Sequence, residues 1–181
     1  MTGKQALFRL SQRLPRNMRE RAINTARSKL KRTSINPMDT KLMGFVSETM
    51  SLSVINRCLY CQNPYLHYCF LDYLLGKHEK SWKDIECKKC NQFIVEVKST
   101  RFKNPRKLHG GCYKSFERMT VKPYLLVFGN LHYDDEGKYR YDTPELYPSS
   151  NYAVVPRNNG KSYIILNPHL INMKNNENSK K

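Results

Sequence analysis

The chain has 181 residues, 39% of them hydrophobic and 11% aromatic. That suits one packed domain with an arm, and is too short for two full domains. The 32 Lys+Arg against 15 Asp+Glu leave a formal net charge of +17, which argues against a generic metabolic enzyme and for a polyanionic partner, with nucleic acid first.

The excess charge is concentrated. Residues 1–34 hold ten basic residues against Glu20 alone, and residues 77–122 hold thirteen basic and five acidic, while the remaining segments are close to neutral. The reading is a basic arm and one basic block. No apolar run approaches the roughly 20 residues of a membrane span. Met1–Leu10 lacks the continuous apolar stretch of a secretory signal. The expected location is a reducing intracellular compartment (nucleus, cytoplasm or virion). The Arg-rich, acid-poor start keeps a mitochondrial address open.

In chain order, residues 4–32 read as a basic helix interrupted at Pro15. Arg13, Arg16, Arg19, Arg27, Lys31 and Arg32 are candidates to lie on a phosphate backbone. Thr33–Thr40 is a linker, so the arm is assigned to residues 1–40. Leu42–Ile55 is moderately apolar and of open type. Tyr65–Leu75, apolar nearly all round and following Pro64, predicts a buried helix. Trp82–Cys87 and Gln92–Thr100 predict two strands around a tight turn. Residues 101–109 predict a basic loop, Gly111–Met119 a helix, and Pro123–Leu131 a buried strand ending at Gly129-Asn130. Asp134–Gly137 is a turn. Tyr152–Pro156 and Ser162–Asn167 predict a hairpin around Asn158-Asn159-Gly160. The folded domain is expected over residues 41–172, with a disordered tail at 173–181.

Four of the six cysteines form two C-x-x-C pairs, Cys58/Cys61 and Cys87/Cys90, with 25 residues between the pairs. Each pair can turn two thiolates toward one ion, and together they complete a tetrahedral four-cysteine site, so structural Zn²⁺ is expected. Asn91, directly after the second pair, tolerates the left-handed backbone that such a knuckle needs. Cys69 reads as a core thiol. Cys112 is left open, and His67 and His109 are alternative ligands.

The strand after the second pair runs Phe93-Ile94-Val95-Glu96-Val97-Lys98. Alternation puts Glu96 and Lys98 on one face, flanked by apolar residues. Asp84, on the preceding strand, is expected to face them. Two carboxylates can hold a divalent ion through oxygen, Mg²⁺ or Mn²⁺, which would activate a water and neutralise charge on a phosphate, while the lysine positions that water or stabilises the phosphorus.

Asp84 followed by Glu96-Val97-Lys98 resembles the PD-(D/E)XK motif of restriction-endonuclease-like nucleases. The resemblance covers roughly residues 65–131 and rests also on the order helix, strands, helix, strand. It implies an α/β (α+β) fold with a small mixed sheet flanked by helices. It further implies catalytic roles for Asp84, Glu96 and Lys98, and an added acid on the first helix that maps to Asp72. The sequence departs from the family in having Lys83 rather than Pro before Asp84, in its cysteine knuckle between the two motif halves, and in lacking a prominent Gln in 111–119.

Around this strand, Arg101, Lys103, Arg106 and Lys107, with Lys88 and Lys89 at the knuckle tip, are candidate phosphate contacts. The expected function is a nucleic-acid-binding zinc protein acting as a metal-dependent phosphodiesterase, with DNA preferred to RNA as partner, no membrane, and monomer or homodimer both open. The alternatives are a non-catalytic zinc protein of a virion, chromatin or ribosome, and a zinc-ribbon transcription factor.

Overall fold

In this computed structural model, residues 40–69, 72, 82–136 and 138–166 are described. The basic arm and the C-terminal tail expected from the sequence lie outside them. The protein is mixed α+β, with a small mixed sheet and few helices among the described residues.

Helix α1 spans Thr40–Val54. Met43, Val46 and Met50 recur at helical spacing and are buried. The buried serines among and just after them are satisfied locally: Ser47 Oγ donates to the Gly44 carbonyl at 2.8 Å and Ser51 Oγ to that of Glu48 at 2.5 Å. These serines dilute the apolar pattern, which is why residues 42–55 could not be typed from sequence.

The first sheet contains β1 (His67–Tyr68), β2 (Ile85–Glu86), β3 (Ile94–Ser99), β5 (Tyr124–Phe128) and β8 (Glu145–Tyr147), in the order β1-β2-β3-β5-β8. Strands β1, β2 and β3 are antiparallel neighbours, β3 and β5 run parallel, and β8 returns antiparallel to β5. Between β3 and β5 the chain leaves this sheet to form β4 (Lys107–Cys112) and the short helix α2 (Tyr113–Glu117). Strand β4 pairs with β10 (Lys161–Leu166), which pairs with β9 (Tyr152–Pro156), in a second, three-stranded sheet. Strands β6 (His132–Tyr133) and β7 (Tyr139–Arg140) form a small hairpin.

The first sheet is buried on both faces: β5 is continuously apolar, and β3 is buried over its first four residues, Glu96 included. One face carries Ile85, Phe93, Val95, Val97, Leu126 and Phe128, against Met43, Val46 and Met50 of α1. Leu125 and Val127 point the other way, into a cluster with Trp82, Leu108, Tyr152, Ile164 and Leu166 from the second sheet and its approaches. Glu96 and Lys98, out of phase with Val95 and Val97, share this second side.

Several expectations change. In the segment expected as a helix over Tyr65–Leu75, His67–Tyr68 is instead the edge strand β1, Cys69 and Asp72 are helical, and the remainder after Tyr68 lies outside the described residues. The strand expected over 82–87 is regular only at Ile85–Glu86. The basic loop is shorter than expected, because Lys107–Cys112 is recruited into β4 by pairing with β10. The helix expected over 111–119 is confined to Tyr113–Glu117. The strand within 123–131 and the hairpin closing at Gly160, where φ is +73°, are present. No helix among the described residues is long and apolar enough to cross a membrane.

The two sheets are tied by Trp82. Its Nε1–H donates to the Cys112 carbonyl at 2.8 Å, and its ring lies 4.9 Å from that of Phe116. Gly110 on β4 allows this approach: a Cβ there would collide with Ser162 Oγ and stand 2.8 Å from Trp82 Cη2. Gly110→Ala is expected to destabilise the protein by about 1–3 kcal/mol through overpacking, measured by urea unfolding, whereas alanine at Gly44, where no atom lies within 4 Å, should be neutral or stabilising.

Candidate functional site

Both C-x-x-C pairs are built as the same turn. Gln62 N–H donates to the Cys58 carbonyl at 3.1 Å and Asn91 N–H to that of Cys87 at 2.9 Å. Gln62 and Asn91 both sit at φ = 55°, in the left-handed region. The sequence pointed to this for Asn91; Gln62, a residue less partial to that conformation, does the same work. The turns bring the four sulfurs together, with Cys58 Sγ 3.5 Å from Cys90 Sγ and Cys61 Sγ 3.6 Å from Cys87 Sγ. Four sulfurs about 2.3 Å from a central ion form a tetrahedron with edges of about 3.8 Å, so Cys58, Cys61, Cys87 and Cys90 are arranged for one metal ion.

The electrostatics fit. Burial pushes the Cys58 thiol up to about 12. Burial opposes ionisation at Cys87 too, but N–H groups of Cys90 and Lys89 and the neighbouring thiols bring it down to about 6. Cys87 gives up its proton readily, and a cation is what would make Cys58 give up its own.

The second constellation lies on β2 and β3. The register pairs Ile85 with Val95 and Glu86 with Ile94; Asp84, at a bend just before β2, donates its N–H to the Val95 carbonyl at 3.0 Å and lies within electrostatic reach of Glu96. Both are buried, at 6% exposure each. Asp84 Oδ2 accepts a hydrogen bond from Val97 N–H at 2.6 Å, and Lys98 Nζ donates to Glu96 Oε1 at 2.5 Å. The three residues singled out from sequence are therefore one cluster.

Its charge balance is negative. Burial, then Glu96, then Glu48 raise the Asp84 pKa well above the usual carboxylate range, against the pull of Lys98 and the Val97 N–H. Burial works against the Lys98 ammonium, but Glu96 and Asp84 prevail and hold its pKa above the ordinary value. Glu48 of α1 is the residue that sequence reasoning missed. Asp72, the acid expected from the first helix, instead meets His67 Nε2 at 3.0 Å. The available signal for Glu48 was an acid on an amphipathic stretch ahead of the first knuckle, visible only once that stretch is known to be helical.

Trp82 borders the cluster, with Lys98 Nζ 5.8 Å from its ring centroid. Its φ of 69° is left-handed, an unusual conformation for a bulky residue. Such strain costs on the order of 1–3 kcal/mol and collects at functional sites.

Among the candidate phosphate contacts, Lys88, Lys89, Arg101, Lys103, Arg106 and Lys107 are exposed. Lys107 stands on β4 with its Nζ 3.6 Å over the Tyr163 ring, and Arg157 stacks on the same ring at 4.5 Å and meets His109 Nδ1 at 3.3 Å. This aromatic-cationic group was missed because it is assembled from β4, β10 and the turn after β9. Arg13, Arg16, Arg19, Arg27, Lys31 and Arg32 lie outside the described residues. No protein-family model, curated protein or solved structure matches the chain.

The sulfur cluster has a direct test. Metal held there is expected to contribute about 10 kcal/mol to folding. Cys87→Ser should lose that metal and most of the cooperative unfolding transition. Unchanged near-UV circular dichroism after complete metal removal would contradict it.

Proposed function

We propose that the protein is a zinc-stabilised, divalent-metal-dependent phosphodiesterase acting on nucleic acid, DNA in preference to RNA. Zinc is the assignment for the four-cysteine site, since four thiolates in a tetrahedron suit it. The observation that carries the catalytic reading is the burial of Asp84 and Glu96 side by side, with Lys98 on the same face and Glu48 within electrostatic reach. Three carboxylates around one ammonium leave a negative excess that a hard cation would relieve. The order of an antiparallel β1-β2-β3 unit followed by β5 parallel to β3 supports the resemblance to the PD-(D/E)XK nucleases, as does a helix, α1, packed on β3.

In this reading Asp84 and Glu96 hold Mg²⁺ or Mn²⁺, which supplies activation of a water and charge neutralisation on the phosphate. Val97 N–H fixes one oxygen of Asp84, so that carboxylate is oriented before the cation arrives. Lys98, kept protonated by its acidic neighbours, exchanges part of its bond to Glu96 for the substrate phosphate and offsets the charge that builds on it. Trp82 shields the lysine on one side and keeps the site dry. The exposed lysines and arginines of the knuckle tip and of residues 101–107 hold the flanking backbone.

A non-catalytic nucleic-acid-binding zinc protein is the second reading. One observation favours it: Glu96 already has Lys98 as its counter-ion at 2.5 Å.

Cleavage of plasmid, linear duplex and branched DNA in Mg²⁺ or Mn²⁺ separates the two. Glu96→Ala and Lys98→Ala are each expected to lower the rate by at least about 100-fold, and activity surviving both would sink the catalytic reading. Asp84→Asn should abolish cleavage yet raise stability at neutral pH by on the order of 1 kcal/mol. The sign follows from the raised folded pKa of Asp84: between the unfolded and folded pKa the native state binds the extra proton, so stability falls as pH rises through that window.

A further inference from the structure

Strands β1 and β2 carry a second group of metal-ligating side chains, separate from the sulfur cluster and not used by the phosphodiesterase reading. The antiparallel register sets His67 opposite Glu86. Cys69 N–H donates to the Asp84 carbonyl at 2.7 Å, which carries the β1 pairing one step further and leaves Cys69 two residues from His67. His67 and Glu86, as paired residues, share one face of the sheet, and Cys69, helical and directly after β1, is held beside them by that bond. One ligand atom from each lies within 4.8 Å of the other two.

We infer that His67, Cys69 and Glu86 form a second metal site, for a borderline divalent ion of the zinc class, with an open position for water. Nitrogen, thiolate and carboxylate together select Zn²⁺ or Co²⁺ over Mg²⁺. Three protein ligands, rather than four, are the pattern of sites that keep a position free. The surroundings match. Asp72 Oδ2 stands 3.0 Å from His67 Nε2, the kind of carboxylate–histidine contact that orients a ligating imidazole. The site lies at the edge of the sheet: His67 and Glu86 side chains are 29% and 21% exposed, while Cys69 is 7% exposed. An ion therefore has access, and the thiol is shielded from oxidants. Lys83 Nζ bonds Glu86 Oε2 at 3.1 Å, and the carboxylate has a second oxygen to offer.

The site uses none of the ligands of the phosphodiesterase reading, and its test reads metal rather than cleavage. The full chain, with the four-cysteine site filled with Zn²⁺, is titrated with Co²⁺ and followed by visible absorption, and metal is counted by mass spectrometry after desalting. With excess Mg²⁺ present to occupy Asp84 and Glu96, the wild type should take up one further equivalent, with a thiolate-to-cobalt charge-transfer band. Cys69→Ser should lose that band and the further equivalent while keeping the zinc. Glu86→Gln, near-isosteric at a half-buried position, should weaken Co²⁺ uptake at least about tenfold, and Asp72→Asn by about ten- to a hundredfold. Glu96→Gln should leave the uptake and its band unchanged, which separates this site from the Asp84–Glu96 pair. A wild type that takes up no Co²⁺ beyond the filled sulfur site, or a band that persists in Cys69→Ser, would overturn the inference.

Discussion

The turn between β2 and β3 carries two of the four clustered cysteines, and the register of those two strands hangs on it. Cys87 and Cys90 have to present their sulfurs to Cys58 and Cys61, which fixes where the chain reverses. The reversal fixes Ile85 against Val95 and so places Asp84 beside Glu96. A slip of one residue would send Glu96 and Lys98 to the face packed against α1 and bring Val95 and Val97 to the other side. The sulfur cluster thus does more than close a loop: it sets which face of β3 carries the ionisable groups. It also ties α1 to the sheet, because Ile55 and Cys58 follow that helix directly into the same core.

The ionisable cluster is expensive to keep. Two buried carboxylates, a third within reach and a left-handed tryptophan each work against folding. A surface ion pair would supply the same local charge at less cost, so burial here is better explained by a requirement on the site than by stability. Trp82 connects that requirement to the architecture. It reaches to β4 through Cys112, rests against Gly110, and faces Lys98, so the second sheet buttresses the cluster from the side opposite α1.

Part of this was legible in sequence. The cysteine pairs were, because ligand spacing is local. Glu96 and Lys98 on β3 were, because alternation inside an apolar run is local too, and β5 and the β9–β10 hairpin stood out by composition. Strand β4 was not: Lys-Leu-His-Gly-Gly-Cys has little strand propensity, and its state is decided by β10, fifty residues away, and by the need for glycine beside Trp82. Helix α1 was not, since its buried serines look polar until their bonds to the preceding turn are seen. With α1 untyped, Glu48 had no face to belong to, and the acid sought on the first helix was assigned to Asp72, which in the fold holds His67 instead.

The central claim is that Asp84 and Glu96 share a cation on a frame set by the four cysteines. Anomalous diffraction from crystals of the zinc-loaded protein soaked in Mn²⁺ tests it most directly. The account predicts a zinc peak among Cys58, Cys61, Cys87 and Cys90 and a manganese peak between the carboxylates of Asp84 and Glu96. A filled sulfur site with no manganese there, and the Glu96–Lys98 bond intact at high Mn²⁺, would contradict it.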